Sequence, residues 1–406
     1  MENKFPKIVT RRFGMIDPLS IDDFIQHDGF QGFLQAIRKS PAEIRETIKQ
    51  SGLRGRGGAA FPTGVKMEAT ATSAPQETKR FVVCNADEGE PGTFKDRYIM
   101  EKDPYALIEG MLIAGYAIGS HQGYIYIRGE YLSSITTIRH AINECYKHNW
   151  LGKNIQATGF DFNLEVFIGG GSYVCGEELT LLESLEGKRG HPRIKPPYPA
   201  QKGLWQKPTL VNNVETLVNL PYILQYGASK FREYGTAESP GTKLLSISGS
   251  VEKPGVYEVP FGISFKEALD LAGSLSKGKQ LKALLVGGAA GNFIPPSLLD
   301  LPITYESLAE NKLTLGSGAI MVFDDSVDLH ELLQNILHFF KHESCGKCVP
   351  CRIGTTLLYE KAKEPLTQKN LAWMIEEAKY MARTSLCPLG QSPLIPLQSF
   401  ERFFNL

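Results

Sequence analysis

Glu343-Ser344-Cys345-Gly346-Lys347-Cys348-Val349-Pro350-Cys351-Arg352 sets three cysteines in one stretch, each separated from the next by two residues. A fourth cysteine, Cys387, comes later and is followed at once by Pro388. Zinc is the competing metal, but structural zinc sites favour separated Cys-x2-Cys pairs. Three thiols in one run, with a distant Cys-Pro, match the ligand count of a 4Fe–4S cluster. Cys345, Cys348, Cys351 and Cys387 are therefore the candidate metal ligands. Lys347 and Arg352 could offset the negative charge of such a cluster, or be ordinary solvated charges at a helix end.

The pattern around the cysteines is helical. Segments at about 328–341, 352–363, 367–384 and 391–405 predict a C-terminal four-helix bundle over 327–406, with the cysteines in its loops. Upstream the period changes. Short strands at 244–248, 256–259, 281–286 and 319–323, with a helix at 264–272, predict a small β-grasp domain over 241–326. Residues 1–240 read as an α/β domain. Its strands are expected at 79–84, 124–128 and 162–168, alternating with helices.

Composition narrows the functional classes. The 406 residues are 42% hydrophobic and 22% charged, enough for several cores without disulfides. Formal net charge is zero, so the chain has no electrostatic footprint for nucleic acid. The first residues hold no apolar signal core. The longest apolar region, 105–119, is interrupted by Glu109, Gly110 and Gly115 and reads as a buried helix. A cytoplasmic protein with no direct membrane insertion is expected, membrane-associated only through partners. Seven cysteines, three of them clustered, then point to metal chemistry.

Two further stretches carry chemistry. Gly52-Leu53-Arg54-Gly55-Arg56-Gly57-Gly58-Ala59-Ala60-Phe61-Pro62-Thr63-Gly64 offers a backbone that a ligand can approach closely, with Arg54, Arg56 and Lys66 adding positive charge. A helix precedes it (Ser40-Pro41-Ala42-Glu43 is a helix start), so it is not a dinucleotide fingerprint, which needs a strand there. The strand ending at Cys84 runs into Asn85-Ala86-Asp87-Glu88-Gly89-Glu90, whose polar side chains suit ring N–H groups or ribose hydroxyls. Then 162–168 leads through Gly169-Gly170-Gly171-Ser172-Tyr173-Val174-Cys175-Gly176-Glu177-Glu178 into a helix. Strand, glycines and helix turn a helix N-terminus toward a ligand. Helix capping is the plainer role for the two acids.

Together these motifs resemble the family of NADH-binding FMN/iron–sulfur flavoprotein subunits of respiratory complex I. Related chains serve NAD-linked hydrogenases, formate dehydrogenases and electron-bifurcating complexes. The resemblance covers almost the whole chain and implies FMN, a 4Fe–4S cluster and NAD(H) as cofactors. By it, Gly55, Arg56, Gly57 and Lys66 hold the FMN phosphate and flank the flavin. Asn85, Asp87, Asn212, Asn213 and Thr216 hydrogen-bond its ribityl chain and ring. Tyr173, Gly176, Glu177 and Glu178 border the flavin and the nicotinamide. Phe61 and Tyr198 sandwich the adenine, and Glu90, Glu178 and Lys195 contact NADH. A further family aromatic is missing at Lys66-Met67-Glu68-Ala69-Thr70.

The implied reaction is hydride transfer between NADH and FMN, then one-electron transfer to the cluster and to partner subunits. Glu90 and Glu178 serve catalysis only through electrostatics and positioning. The implied partners are a thioredoxin-like 2Fe–2S protein and a further redox partner of hydrogenase, formate dehydrogenase, ferredoxin-linked or membrane-arm type. Neither a thioredoxin-like domain nor a ferredoxin repeat is recognised within these residues. Electron bifurcation stays open, as does a non-catalytic relay or scaffold role in which NADH binding has been lost.

Overall fold

The computed structural model describes residues 5–404 apart from 274, 276 and 277. Four strands, β1 (Phe81–Ala86), β2 (Gln122–Arg128), β3 (Asn163–Gly169) and β4 (Thr209–Asn213), form a wholly parallel sheet in the order β3-β2-β1-β4. Strand side chains alternate between faces. Val82, Cys84 and Ala86 therefore enter one core with Ile125, Ile127 and the helix Pro104–Ile118. Phe81 and Val83 enter the opposite core with Tyr126, Val211 and Leu179. Both faces are covered, as an all-parallel sheet requires. Each fully buried Leu or Ile contributes roughly 1.5–3 kcal/mol.

Strand β4 and the three-residue strand β8 were not expected from the sequence. In β4 only Leu210 and Val211 are apolar, and the expected helix at Asn212 begins at Val214. Partners decide the matter: Phe81 to Asn85 pair with Thr209 to Asn213 in register. The Pro-rich stretch, read as a rigid loop, contains one helical turn at Pro199–Lys202. The helix before the glycine loop is present as Pro41–Ser51. Ser40 and Glu43 close a capping box, and Gly52 ends the helix at a left-handed φ of 70°.

A second sheet follows: β5 (Thr242–Gly249), β6 (Gly255–Pro260), β7 (Leu281–Val286), β8 (Asn292–Ile294) and β9 (Ala319–Asp324), in the order β6-β5-β9-β7-β8. It is mixed, with only β5 and β9 parallel. Leu284 and Val286 face a core shared with the helix Phe265–Leu271. Ala283 and Leu285 face the core that also holds Phe81 and Val83 of the first sheet. Into that same core pack the helices Leu329–Glu343, Val349–Ala362, Gln368–Thr384 and Leu394–Phe403, through Leu337, Leu358, Met374 and Leu397. The cysteine-bearing helices are thus joined to both sheets by one apolar cluster.

Candidate functional site

Parallel strands end on one edge, so the loops after β1, β3 and β4 gather there. The order β3-β2-β1-β4 reverses direction between β1 and β4, and the carboxyl ends of such a pair flank a crevice. Asn85 and Asn213 are register partners across that crevice. The Asn85 amide donates to the Gly176 carbonyl at 2.8 Å, which brings the third loop in. Gly57 lies over Asn213 so closely that a Cβ on it would stand 2.9 Å from the asparagine Cβ. The loop itself is closed by Gly55 N–H donating to the Phe61 carbonyl at 2.9 Å.

Two buried polar atoms in this crevice have no partner among the described residues: Asp87 Oδ2 and the Asn212 amide nitrogen. Buried polar groups left open cost about 1–3 kcal/mol each, so an acceptor and a donor orphaned together fit a polar ligand such as a flavin with its ribityl hydroxyls. Burial lifts the Asp87 carboxyl to about 7 against the opposing pull of Arg128. Near neutrality it can therefore donate as well as accept.

Arg56 and Thr216 sit differently from the expectation. The Arg56 guanidinium is buried, donating to the Pro240 carbonyl at 2.8 Å and stacking over Phe261 at 4.8 Å. Its backbone N–H donates to Thr216 Oγ1 at 2.8 Å. Arg56 thus ties the glycine loop to segments flanking the second sheet, and Thr216 ties it to the helix that begins at Val214. Lys66 donates to Glu178 Oε2 at 2.8 Å, and Lys195 donates to Glu178 Oε1 at 2.9 Å. Burial alone would raise the Glu178 carboxyl, but the two ammonium groups outweigh it and hold it down to about 2. Lys195 also meets Glu177 at 2.9 Å. Glu177 doubles as the cap of the helix Glu178–Leu185, accepting from Leu179 N–H and Thr180 N–H. Two carboxylates thus face two ammonium groups, and the negative field expected from Glu178 is locally cancelled.

Glu90 reaches the second sheet. It accepts from the Tyr173 hydroxyl at 2.6 Å and from Ala290 N–H at 3.0 Å. Burial raises its carboxyl, with these hydrogen bonds opposing. Tyr173 N–H in turn donates to Glu343 Oε2 at 3.0 Å, and its ring meets Phe339 edge-on at 5.0 Å. Phe61 and Tyr198 stand 53% and 54% exposed, open for stacking.

Glu343 opens the cysteine stretch. Cys348 is the N-cap residue of the helix Val349–Ala362, Cys351 lies in its first turn, and Cys387 is the N-cap residue of the turn Pro388–Gln391. Gly390 touches Cys351 so closely that a Cβ on it would lie 2.8 Å from the cysteine Cβ, which ties the Cys387 loop to the first three thiols. Among the described residues no three His, Cys, Asp or Glu side chains converge on a single ion. That disposition does not conflict with a cubane, which spreads four thiolates over four irons. Burial pushes the Cys351 thiol up to about 11 and Cys387 up to about 12, so ionisation there calls for a cation. A cavity of about 300 Å³ lies beside Cys345, walled also by Ser172, Cys175 and Gly190. Lys347 and Arg352 are held by carbonyls, of Pro192 at 2.7 Å and Gly346 at 2.6 Å. Cys84, Cys145 and Cys175 are buried in the cores, as expected of packing residues.

Sequence reasoning missed a group of buried charges beneath the crevice. Lys95, Asp96, Glu215 and Lys243 are at most 3% exposed and Glu88 is 6% exposed. Glu88 read only as one of the polar side chains after β1, and Lys95, Asp96 and Glu215 fall in no motif. Only Lys243, inside the strand-like Thr242-Lys243-Leu244-Leu245, carried a local signal.

Known proteins share this arrangement. Residues 48–222 match the Nuo51 FMN-binding domain, and residues 331–405 match the NADH-ubiquinone oxidoreductase-F iron-sulfur binding region. The chain is 45% identical to the HndC component of the NADP-reducing hydrogenase of Solidesulfovibrio fructosivorans, over all of this chain and 83% of that one. It is 45% identical to the F-type component of the NADH-quinone oxidoreductase of Aquifex aeolicus, over 95% of this chain and 89% of that one. An NAD+-reducing NiFe hydrogenase in its H2-reduced state superposes with a TM-score of 0.82 at 36% identity, over 91% of this chain. This chain spans only 63% of that hydrogenase chain. No helix among the described residues is long and apolar enough to cross a membrane. From the matched regions and the extent of these identities, the chain belongs to the NADH-quinone oxidoreductase-F family of FMN- and iron–sulfur-binding oxidoreductases.

Proposed function

We propose that the crevice between β1 and β4 holds FMN and admits NADH, and that electrons leave it through a 4Fe–4S cluster on Cys345, Cys348, Cys351 and Cys387. FMN held there would supply hydride acceptance and single-electron release, and a cluster held by the four cysteines would supply one-electron carriage. The protein supplies position and electrostatics. Asn85, Asp87, Asn212, Asn213 and Thr216 form the floor under the flavin, and Gly55, Gly57 and Gly176 keep its approach clear. Arg56 stiffens the phosphate loop from behind. Lys66, Lys195, Glu177 and Glu178 form a charge-matched wall at the nicotinamide end, so a nicotinamide can arrive and leave without a large change in local field. Phe61 and Tyr198 offer their exposed rings to the adenine.

One observation carries this reading. Tyr173 bonds Glu90 through its hydroxyl and Glu343 through its N–H, so crevice and cysteine loop are two ends of one site. Reconstitution under anaerobic conditions tests it. One flavin and about four irons per chain are expected, with NADH bleaching the flavin. Bound flavin that NADH does not bleach would favour the relay or scaffold reading.

The same reading divides the chain into an FMN- and NADH-binding α/β unit at 1–240, a β-grasp unit at 241–326 and a helical 4Fe–4S unit at 327–406. The mixed sheet packed on the helix Phe265–Leu271 supports the second, and the four long helices support the third. Its partners are a thioredoxin-like 2Fe–2S protein and a further redox protein. Val349 and Ile353, 59% and 49% exposed beside the cysteines, support a protein surface seated there.

A further inference from the structure

The buried charges beneath the crevice form one connected chain. Glu88 Oε1 accepts Asp96 N–H at 2.9 Å. Asp96 pairs with Lys95 at 2.7 Å, Lys95 with Glu215 at 3.0 Å, and Lys243 with Glu215 at 2.5 Å. Asn213 belongs to both this chain and the crevice. Its amide nitrogen donates to Asp96 Oδ2 at 2.6 Å, and its oxygen accepts from Lys95 at 3.3 Å. Stability does not explain so many buried charges, because apolar residues of the same volume are often neutral or better.

We propose that this network is a proton reservoir for the flavin crevice: Glu88 binds a proton when negative charge arrives above Asn213 and returns it when the charge leaves. The inference rests on the flavin reading above. A hydride brings two electrons and one proton, so it adds one negative charge. The network answers with one proton from solvent, forming an O–H bond on Glu88. When the two electrons pass on, that bond breaks, and both the Glu88 proton and the one carried in by the hydride return to solvent. With three carboxyl groups and two ammonium groups, the fully ionised network is negative by one charge. One proton makes it neutral.

The route to water is Tyr131, which is half-buried and donates its hydroxyl to Glu88 Oε2 at 3.1 Å. Around Glu88 stand Lys95, Asp96 and Arg97 of the helix Lys95–Lys102, Arg128 at the end of β2, and Glu130 and Tyr131 just after it. Glu215 and Lys243 act on it through Lys95. Burial, with Asp96 next, lifts the Glu88 carboxyl to about 7. Burial lowers Lys243 to about 7, with Lys95 adding to the shift and Glu215 opposing it. Glu215, between two ammonium groups, stays ionised.

Glu88→Gln keeps the shape and removes the exchangeable proton. Holoprotein is reduced by NADH in weakly buffered solution with a pH-indicating dye, and the flavin potential is followed against pH. The wild type should take up more protons than the variant. Near pH 7, where Glu88 already holds about half a proton, the difference should be at most about half a proton per chain and should grow above that pH, with a flatter potential-against-pH slope in the variant. Should Glu88→Gln fail to fold, Tyr131→Phe serves. Losing its hydroxyl should move the same inflection to higher pH, because the ionised Glu88 loses a donor. Flavin bound at full stoichiometry with proton counts and slopes unchanged would overturn this inference alone. A chain that binds no flavin would overturn the flavin reading with it.

Discussion

Cys345, Cys348 and Cys351 come to their site from a single stretch of ten residues, whereas the crevice draws Gly57, Asn85, Tyr173 and Asn212 from four places along the chain. The first is local chemistry: spacing sets the ligands, and helix ends hold them. The second exists only because β1 and β4 are parallel neighbours ending on one edge. A local site should fail alone when one ligand is lost, while a site assembled by topology should resist point changes and respond through its supports. The sharpest test of the difference is Cys387→Ala. It should remove the cluster, about four irons per chain, and abolish onward transfer. Bleaching of the flavin by NADH should persist, because among the described residues none of the crevice hydrogen-bonds to Cys387. Iron analysis with stopped-flow absorbance would check both. A folded variant that no longer bleached would show the two regions to be one unit.

The same contrast explains what could be read from sequence. The box of Ser40 and Glu43 and the glycine loop after Gly52 are local, and the structure keeps them where expected, while the helix expected from about 352 starts earlier, at Val349, and takes Cys351 into its first turn. Strand β4 was missed because two apolar residues carry no period. Its strand character comes from pairing with β1, more than a hundred residues earlier. The partners of the Arg56 side chain were not legible for a similar reason. An arginine in a glycine loop suggests phosphate, yet Pro240 and Phe261, far along the chain, capture its guanidinium. Glu258 is a third case. It accepts the N–H groups of Ile8, Val9 and Thr10, fastening the N-terminal segment to the second sheet through partners no sequence window spans.

Asp87 probes the crevice with a smaller effect. Its carboxyl is raised to about 7 in the fold, against an ordinary value of 3.8. The folded chain therefore holds a proton that the unfolded chain has released between those values. Stability contributed by the neutral carboxyl is full below about pH 4 and is lost as pH rises toward 7. In flavin-free protein, Asp87→Asn should remove that slope. Its stability relative to wild type should be higher at pH 8 than at pH 4 by on the order of 2 kcal/mol, discounted for partial exposure. Urea denaturation at the two pH values measures it. Equal differences at both would mean that water already solvates this carboxyl and that the crevice is open rather than buried.

The smallest effect lies at the rim, where the crevice is least like the cysteine loop. Phe61 is held by its backbone, whose carbonyl accepts from Gly55 N–H, and its ring stands free. An aromatic stack contributes about 0.5–1.5 kcal/mol beyond area burial. Phe61→Ala should therefore weaken NADH binding by about 2- to 12-fold, read as KM or as a Kd from flavin bleaching. Flavin content and kcat should not move, since the ring supports neither the floor nor the wall of the crevice. Where the family's further aromatic would stand, this chain has Lys66-Met67-Glu68-Ala69-Thr70, and Met67 is wholly buried. On the proposed reading Phe61 and Tyr198 share the adenine between them, and losing both should cost more than either single loss. A single replacement that leaves NADH binding unchanged would mark that ring as idle at the surface.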